Sequence, residues 1–291
     1  MLMERCYITD EKVAASLLPK RKSDSSKGSF GRAALISGSE RYVGAAMLSL
    51  EAALRGGAGY VDFLGLGMLC ESLRLRFPEA IYTQLDYTVD SGRKKLVKAT
   101  SRSGAILVGS GCESTEALYL TVAELLETEG APVVLDADAI NAISAYGTAN
   151  IIRSARRKVI LTPHPLEFSR LTGYAVSEIQ ENRLVLARDF AASHGCILVL
   201  KGSGTVVTDG DISYVNSSGS SALAKAGSGD VLAGLLTSLL AFSTDALGTA
   251  ALAVYVHGRA GDNLAAELSE FGVTPSDLPR ECARVFAALS K

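Results

Sequence analysis

Residues 216–240, NSSGSSALAKAGSGDVLAGLLTSLL, combine a polar run, a glycine-rich turn and an apolar helical pattern. The turn is Gly227-Ser228-Gly229-Asp230, and apolar residues then recur at helical spacing, at Val231, Leu232, Leu235, Leu236, Leu239 and Leu240. This spacing predicts a helix that begins at or near Ser228. The first turn of a helix has free N–H groups at the positive end of its dipole, and the two glycines let a ligand approach closely. The stretch therefore predicts an anion-binding site.

Asp230 is unusual at such a turn, because its carboxylate would repel a bound phosphate. Its presence is explained if it takes a proton from a hydroxyl that attacks the phosphate. The amides of Gly227, Ser228 and Gly229 would then stabilise the charge that is transferred. Ser and Asp also begin many helices for structural reasons alone. The turn by itself leaves the catalytic and the structural interpretation open.

Length and composition describe a globular protein with a large core. The chain has 291 residues, 48% hydrophobic and 21% charged, which fits one large α/β domain or two smaller ones. The net charge of −2 does not indicate a protein that binds nucleic acid or an anionic membrane surface. No apolar run reaches about 18 residues and no signal peptide is evident, so we expect neither a membrane span nor export.

Five cysteines are scattered along the chain, and no two of them have Cys-x-x-Cys spacing. An odd count without that spacing argues against a disulfide framework and against a zinc site. We therefore expect reduced thiols and a cytoplasmic protein.

Apolar strands alternate with helices along most of the chain. Strands are predicted at 32–37, 60–66, 81–87, 105–108, 133–135, 159–161 and 197–200, with a hairpin of 205–208 and 212–215. Helices are predicted at 10–18 with Thr9 as cap, 45–55, 68–77, 114–129 with Ser114 as cap, 178–193, 246–268 and 276–290, with a short one that ends at Ile143. About eight strands without a linker predict a single three-layer α/β/α domain, residues 1–291, with a largely parallel sheet. Residues 1–31 form an N-terminal helix and arm in this prediction.

Ligands of such sheets bind at the carboxyl ends of the strands, so the loops that follow strands are the candidate sites. His164 lies between two prolines in Thr162-Pro163-His164-Pro165, which restrict the backbone around it. It is either a ligand contact or a helix-entry residue with no further role. Glu167 either holds a metal-bound water or favours the helix N-terminus.

The loop Lys201-Gly202-Ser203-Gly204-Thr205 also follows a strand. A lysine with small neighbours can contact a nucleotide through backbone and side chain, but the loop also reads as a tight connection with a surface lysine. Asp136 and Asp138 can reach a ligand or a hydrated cation, and helix capping is the favoured role of Asp138. His257 lies inside a long helical pattern and is interpreted as packed. No dinucleotide-binding G-x-G-x-x-G and no P-loop motif occurs.

Several short motifs lie one after another in a fixed order between about Ile8 and Ala288. They are Lys27-Gly28 with Phe30-Gly31-Arg32, Gly44-Ala45-Ala46, Leu135-Asp136-Ala137-Asp138-Ala139, Thr162-Pro163-His164-Pro165 with Glu167-Phe168, Leu200-Lys201-Gly202 with Gly204-Thr205, and Ala226 to Gly234. On these motifs the chain resembles the ADP/ATP-dependent NAD(P)H-hydrate dehydratases, a branch of the ribokinase-like superfamily. Many kinases of that superfamily share the last motif in looser form, whereas the Thr-Pro-His-Pro and Phe-Gly-Arg elements are more specific.

The resemblance implies a lyase that restores NADH or NADPH from the S epimer of its hydrate, using a nucleotide phosphate to drive off the hydroxyl. It implies nucleotide contacts at Lys201, Gly202, Ser203, Gly204, Thr205 and Gly229, and contacts to the hydrated cofactor at Ala45, Gly111, His164 and Asp230. It also implies Mg²⁺ on the donor phosphates. ADP is the expected donor because the chain resembles the single-domain bacterial form, and ATP is the alternative.

The chain departs from the family pattern at Ser26, Ser110, Ser220, Ser221 and Lys225. These positions lie near the implied phosphate and cofactor contacts, where Lys225 would add a positive charge. One alternative is a small-molecule kinase of the hydroxymethylpyrimidine or thiazole-alcohol type, and another is a nucleotide-binding module without turnover. The Thr-Pro-His-Pro element argues against the first, and the intact Gly227–Asp230 turn argues against the second. The apolar helix pattern at 246–256 suits a homo-oligomer interface and an internal core equally.

Overall fold

The computed structural model describes residues 5–291, in which ten strands form one sheet. They are β1 (Cys6–Thr9), β2 (Arg32–Ile36), β3 (Tyr60–Gly65), β4 (Ile81–Gln84), β5 (Ala105–Val108), β6 (Val133–Leu135), β7 (Val159–Leu161), β8 (Ile197–Leu200), β9 (Val206–Thr208) and β10 (Ser213–Asn216). Their order in the sheet is β1-β10-β9-β8-β7-β6-β5-β2-β3-β4. Only the pairs of β9 with β8 and β10 are antiparallel within this described sheet, so the prediction of a largely parallel sheet with one hairpin is confirmed.

Thirteen α-helices of the described residues cover the sheet. They are α1 (Glu11–Leu17), α2 (Val43–Arg55), α3 (Gly67–Arg74), α4 (Asp90–Ala99), α5 (Glu116–Glu127), α6 (Asp138–Tyr146), α7 (Asn150–Arg153), α8 (Pro165–Thr172), α9 (Val176–Glu181), α10 (Arg183–His194), α11 (Ser228–Leu240), α12 (Ala246–Gly272) and α13 (Leu278–Leu289). Across residues 5–291, none of the helices is both long enough and apolar enough to span a membrane.

Alternation along the strands divides the core into two layers. In β2, Ala33 and Leu35 belong to the layer that α2, α11 and α12 cover, whereas Ala34 and Ile36 face the layer with α5 and α6. Successive strand residues point to opposite faces, so near-continuous apolar strands can bury both faces. The three-layer α/β/α prediction is therefore confirmed.

The predicted N-terminal helix and arm contains a strand that the sequence pattern did not reveal. β1 pairs in parallel with β10, with Ile8 opposite Val215. Residues 1–4 of the predicted arm lie outside the described part of the chain. The strand is short, and Ile8 is 57% exposed at the sheet edge. Because an edge strand is half-solvated, its apolar pattern is weak.

Several predicted helix boundaries were wrong. Asp10, not Thr9, caps α1 by accepting a hydrogen bond from Val13 N at 2.8 Å. Thr115, not Ser114, caps α5. The single helix predicted at 178–193 is two helices, because Asn182 has a non-helical conformation between α9 and α10. Helices α4 and α7 were not predicted, and α8 was implied only as the helix that His164 would enter.

Helix α11, which the turn at Gly227 begins, packs closely on α2. A Cβ atom placed on Gly234 would lie 2.0 Å from the Ser49 carbonyl oxygen. Backbone that approaches this closely leaves no room for a side chain. The helix that carries the predicted anion site is therefore held in place by a glycine contact.

We expect Gly234→Ala to destabilise the protein by about 1–3 kcal/mol or more, because α2 and α11 must separate to admit the methyl group. Urea denaturation of the variant and the wild type measures the difference. Gly44→Ala is the matched control, since a Cβ on Gly44 of α2 meets nothing within 4 Å. The control is expected to be neutral or stabilising, and equal effects of both changes would contradict the packing argument.

Candidate active site

The predicted site residues follow strands whose carboxyl ends meet at one edge of the sheet. Chain order reverses between β5 and β2, which are neighbours in the sheet. A crevice forms at such a reversal because the two connections leave in opposite directions. Gly38 N donates to Ser110 O at 2.7 Å there, and Lys201 N donates to Pro163 O at 2.9 Å. The first bond joins the loops after β2 and β5, and the second joins the loops after β7 and β8.

Asp136, directly after β6, is the centre of this surface. Its carboxylate is 1% exposed and accepts hydrogen bonds from Ser110 Oγ at 2.9 Å, Thr162 Oγ1 at 2.7 Å and Lys201 Nζ at 2.9 Å. A buried carboxylate needs such partners to remain charged. Ser110 contributes one of them. Asp136 therefore positions the Lys201 ammonium.

The backbone after Asp136 is strained. Ala137 has φ 46° and ψ −108°, a conformation that costs free energy for any residue with a Cβ. Asp138 begins α6 and accepts from Glu113 N at 2.9 Å, and it makes no side-chain cap within the described helix. The favoured capping role of Asp138 was therefore wrong, since its carboxylate holds the loop after β5 instead.

His164 and Glu167 form a reciprocal cap at the start of α8. Glu167 N donates to His164 Nδ1 at 3.1 Å, and His164 N donates to Glu167 Oε2 at 2.8 Å. Burial raises the pKa of Glu167, which is 4% exposed. Burial and the Lys201 charge lower the pKa of His164, so the ring is neutral at physiological pH. The helix-entry interpretation of both residues is confirmed, and their ligand contacts stay predictions.

The Lys201 ammonium connects this surface to the start of α11. It lies 4.0 Å from Glu167 Oε2, and a Cβ on Gly229 would be 3.2 Å from it. Burial works against the charge, but Asp136 and Glu167 outweigh it and the pKa of Lys201 is raised. The side chain is 18% exposed, so it is not the surface lysine of the alternative interpretation. A cation and the α11 amides therefore converge at one point.

The turn before α11 has the geometry that its glycines predict. Gly227 has φ 103°, and a Cβ there would lie 2.6 Å from Leu48 Cδ1. α11 begins at Ser228, as predicted. Burial, reinforced by Asp136, raises the pKa of Asp230 to about 7, although Lys201 opposes this. Asp230 can therefore exchange a proton near neutral pH.

A cavity of about 530 Å³ extends from this point. Lys201, Gly202, Ser203, Thr205 and Gly229 line it, whereas Gly204 is not among the described lining residues. Its size suits a nucleotide. A larger cavity, of about 640 Å³, lies among α1, α2, α11 and α13 and contains none of the predicted site residues within the described chain.

Ala45 and Gly111 lie against each other on the other side of the crevice. A Cβ on Gly111, which has φ 68°, would be 2.6 Å from Ala45 Cβ. Burial chiefly raises the pKa of the neighbouring Cys112 to about 12, with a small contribution from Asp230. The residues at 45 and 111, which follow β2 and β5, are therefore direct neighbours at the crevice, and their contacts with the hydrate stay predictions.

Two residues differ from their interpretation in the sequence. Lys225 Nζ donates to the carbonyls of Phe271, at 2.7 Å, and Val273, so its charge is directed to the end of α12 and not to the α11 amides. His257, interpreted as merely packed, lines the 530 Å³ cavity. Its signal in the sequence is a polar ring in the otherwise apolar run of α12.

The chemistry of the arrangement is that of phosphoryl transfer. The start of α11 brings its free amides and the Lys201 ammonium together, beside a carboxyl group whose pKa is raised to about 7, and such groups can bind a phosphate and exchange a proton. No group of three His, Cys, Asp or Glu side chains between residues 5 and 291 forms a metal cage. Mg²⁺ is usually held by substrate phosphates, waters and one or two carboxylates. The metal role of Glu167 stays a prediction.

Comparisons with known proteins match most of the chain. A family model described as NAD(P)H-hydrate dehydratase matches residues 33–284. The ADP-dependent (S)-NAD(P)H-hydrate dehydratase of Neisseria meningitidis is 39% identical over 250 residues, which cover 83% of this chain and 80% of that protein. The bifunctional NAD(P)H-hydrate repair enzyme Nnr of Thermofilum pendens is 32% identical over 278 residues, 94% of this chain. The chain spans about half of that relative, 53% of its length.

A solved structure supports the same assignment. The ADP/ATP-dependent NAD(P)H-hydrate dehydratase from Bacillus subtilis, co-crystallized with ATP/Mg²⁺, matches with a TM-score of 0.86 and 32% identity. The match covers 99% of each chain, and the ribokinase-like fold is confirmed. The chain belongs to the NAD(P)H-hydrate dehydratase family.

Proposed function

We propose that the protein is a nucleotide-dependent NAD(P)H-hydrate dehydratase, a lyase that restores NADH or NADPH from the S epimer of its hydrate. The observation that carries the proposal is the position of Asp230, whose pKa is raised to about 7 beside the α11 amides. Membership of the family supports the same activity. Asp230 has the location and the proton affinity that a general base for a hydroxyl requires.

In the proposed reaction, Asp230 takes the proton of the hydroxyl on the hydrated nicotinamide ring. The hydroxyl oxygen forms a bond to the terminal phosphorus of the donor, and the bond from that phosphorus to its bridging oxygen breaks. The amides of Gly227, Ser228 and Gly229 and the Lys201 ammonium stabilise the transferred charge. The phosphate then leaves with the C–O electron pair as the ring loses a proton, which gives NAD(P)H and inorganic phosphate.

The two ligands are assigned to the two sides of the crevice. The nucleotide occupies the 530 Å³ cavity along Lys201, Gly202, Ser203, Gly204 and Thr205, with Gly229 at its phosphate end. The hydrated cofactor lies on Ala45 and Gly111, with His164 and Asp230 at its reacting ring. Mg²⁺ would be bound mainly by donor phosphates, with Glu167 holding a bound water, and would neutralise phosphate charge.

The reaction class is tested by mixing the protein with hydrated NADH, a nucleotide and magnesium and following the return of reduced-nicotinamide absorbance. The controls omit the nucleotide or use the R epimer. Phosphorylation of a hydroxymethylpyrimidine or a thiazole alcohol instead would support the kinase alternative. Nucleotide binding without either reaction would support the binding module.

Location and assembly are separate proposals. Cys6, Cys70, Cys112, Cys196 and Cys282 are all free thiols, which is consistent with the reducing conditions of the cytoplasm. A homo-oligomer stays a prediction.

We expect ADP to support the repair and to yield AMP and inorganic phosphate, each in equal amount to the NADH formed. With ADP the β-phosphate must reach the α11 amides, which places the adenosine one phosphate closer to the turn than with ATP. The N. meningitidis relative is named ADP-dependent, whereas the B. subtilis structure is described as ADP/ATP-dependent. Chromatography of the products decides between the donors. Conversion of ATP to ADP, with ADP inert, would refute the donor assignment and leave the reaction class intact.

A further inference from the structure

The cavity of about 640 Å³ takes no part in the proposed function. It lies among α1, α2, α11 and α13, and within the described chain it shares no lining residue with the 530 Å³ cavity. Its residue on α11 is Leu239, which lies about three helical turns, or about 16 Å, from Ser228 at the start of the helix. Its volume is in the range of pockets that hold small organic molecules. It is therefore a candidate for a second binding site, separate from the crevice.

Three cationic side chains line this cavity, Lys20, Arg21 and Arg55, and no Asp or Glu of residues 5–291 lines it. The chain as a whole has a net charge of −2, so this local excess of positive charge does not follow from the composition. None of the three side chains forms an ion pair within the described chain. A concave site lined by charges of one sign attracts ions of the opposite sign. The cavity therefore favours an anion.

Arg21 is held in an orientation that leaves part of its guanidinium free. Its Nη1 donates to Gly57 O at 2.9 Å, and its Cζ lies 3.5 Å from the centre of the Phe30 ring. A guanidinium has five N–H donors in a planar fork, so most of them remain for a ligand, and an arginine that is already ordered loses less freedom when an anion binds. Arg55 lies in the last turn of α2, where the helix dipole suits a cation. That explanation does not apply to Lys20 and Arg21, which lie in the loop after α1.

The rest of the lining is largely apolar. Five large apolar side chains contribute to it: Leu18, Leu239, Phe242, Phe286 and Leu289. Leu239 is buried and the other four are partly buried. Apolar walls are removed from water when an apolar group of a ligand covers them, which favours binding. An inorganic anion would leave these walls uncovered, and a neutral apolar molecule would leave the cations without a partner. The lining therefore matches a molecule that joins an anionic group to an apolar body.

We propose that this cavity binds a small amphipathic anion, an apolar chain or ring system that carries a phosphate or carboxylate group. The anionic group lies on Arg21, Arg55 and Lys20, where a guanidinium can bind two of its oxygens at once. The apolar body lies on the leucine and phenylalanine side chains between α11 and α13. This inference does not rest on the proposed function, since the two cavities have separate walls.

Calorimetry with octyl phosphate, octanoate, 1-octanol and inorganic phosphate tests the proposal. We expect the wild type to bind octyl phosphate or octanoate about tenfold or more tightly than either 1-octanol or inorganic phosphate, and the tighter of the two anions identifies the anionic group. Arg21→Gln/Arg55→Gln should weaken that anion about tenfold or more and change the affinity for 1-octanol by about twofold or less. Lys12→Gln/Lys22→Gln is the matched control, because it removes two exposed cations that do not line the cavity. Ala15→Phe, at an exposed lining position, keeps the charges and fills part of the cavity, so it should weaken the anion and 1-octanol together.

Three results would overturn the inference: no binding of either amphipathic anion, equally tight binding of 1-octanol, or equal losses in the cavity variant and in the matched control. Competition by ADP would overturn it too, because it would put the anion in the 530 Å³ cavity. If Arg21→Gln/Arg55→Gln does not fold by circular dichroism, Arg55→Gln replaces it, since Arg55 makes no side-chain hydrogen bond within residues 5–291. Anion affinity that survives both this variant and Ala15→Phe would place the binding elsewhere and refute the proposal. None of these outcomes bears on the dehydratase reaction, which its own assay tests.

Discussion

Asp230→Asn is expected to reduce turnover by about 10²–10⁴-fold, the usual contribution of a positioned general base. Nucleotide affinity should be unchanged or slightly higher, because the substitution removes a negative charge beside the phosphates. Asn has nearly the same shape as Asp but cannot take a proton. Single-turnover rates and calorimetric nucleotide affinity separate the two effects. Near-normal turnover in the variant would remove Asp230 from the mechanism.

The pH dependence of the wild type gives a second readout for the same residue. The base must be deprotonated, so kcat/KM should rise with pH through about 7, the raised pKa of Asp230. Asp136, Asp138, Glu167 and Lys201 are the charged groups that act on this carboxyl. In Asp230→Asn the residual kcat/KM should no longer rise with pH through this range. If the rise is unchanged in the variant, it is caused by the titration of another group.

Stability should change in the opposite direction to activity. The folded-state pKa of Asp230 lies above its ordinary value of 3.8, so the folded protein favours the protonated carboxyl. That stabilisation is complete below about pH 4 and is lost as the pH rises through 7. Asp230→Asn, which is always neutral, should therefore raise Tm relative to the wild type at pH 8 but not at pH 4. Thermal scans at both pH values measure this.

Lys201→Met is the second change with a large expected effect, on nucleotide affinity and on stability together. It removes the ammonium beside the α11 amides, which should weaken nucleotide binding by about tenfold or more and the hydrated cofactor much less. It also leaves Asp136, 1% exposed, without its cation, and stranding one partner of a buried pair costs about 3–5 kcal/mol. Separate titrations with each ligand and urea denaturation measure both losses.

The double variant Lys201→Met/Asp136→Asn separates the two roles of Lys201. Neutralising Asp136 removes the stranded charge, so most of the stability should return. Nucleotide affinity should stay low, because the missing ammonium is not replaced. Recovery of the affinity as well would show that Lys201 acts only through Asp136, and a loss confined to the hydrated cofactor would reverse the assignment of the two sides.

The periodic patterns of the sequence were sufficient for the fold class and for much of the local structure. The strands at 105–108, 133–135, 159–161 and 197–200 have the predicted bounds, and α11 begins at Ser228 as predicted. Long apolar runs and glycine turns encode these features within a few residues, so distant parts of the chain are not needed to recognise them. The errors at Thr9, Ser114 and Asn182 are at helix ends, where adjacent polar residues compete for the same cap.

The sequence by itself determined which residues are candidates for chemistry: the turn at 227–230, His164 with Glu167, and the loop from Lys201. Only the tertiary structure decided how they are connected. Asp136 receives hydrogen bonds from residues 26 and 65 positions away in the chain, and His257 of α12 and Ser228 of α11 line the same cavity. The raised pKa of Asp230 and the engagement of Lys225 likewise depend on these neighbours. The physical reason is that burial and electrostatic coupling act through space, so they exist only where crossover connections bring strand ends and helix starts together.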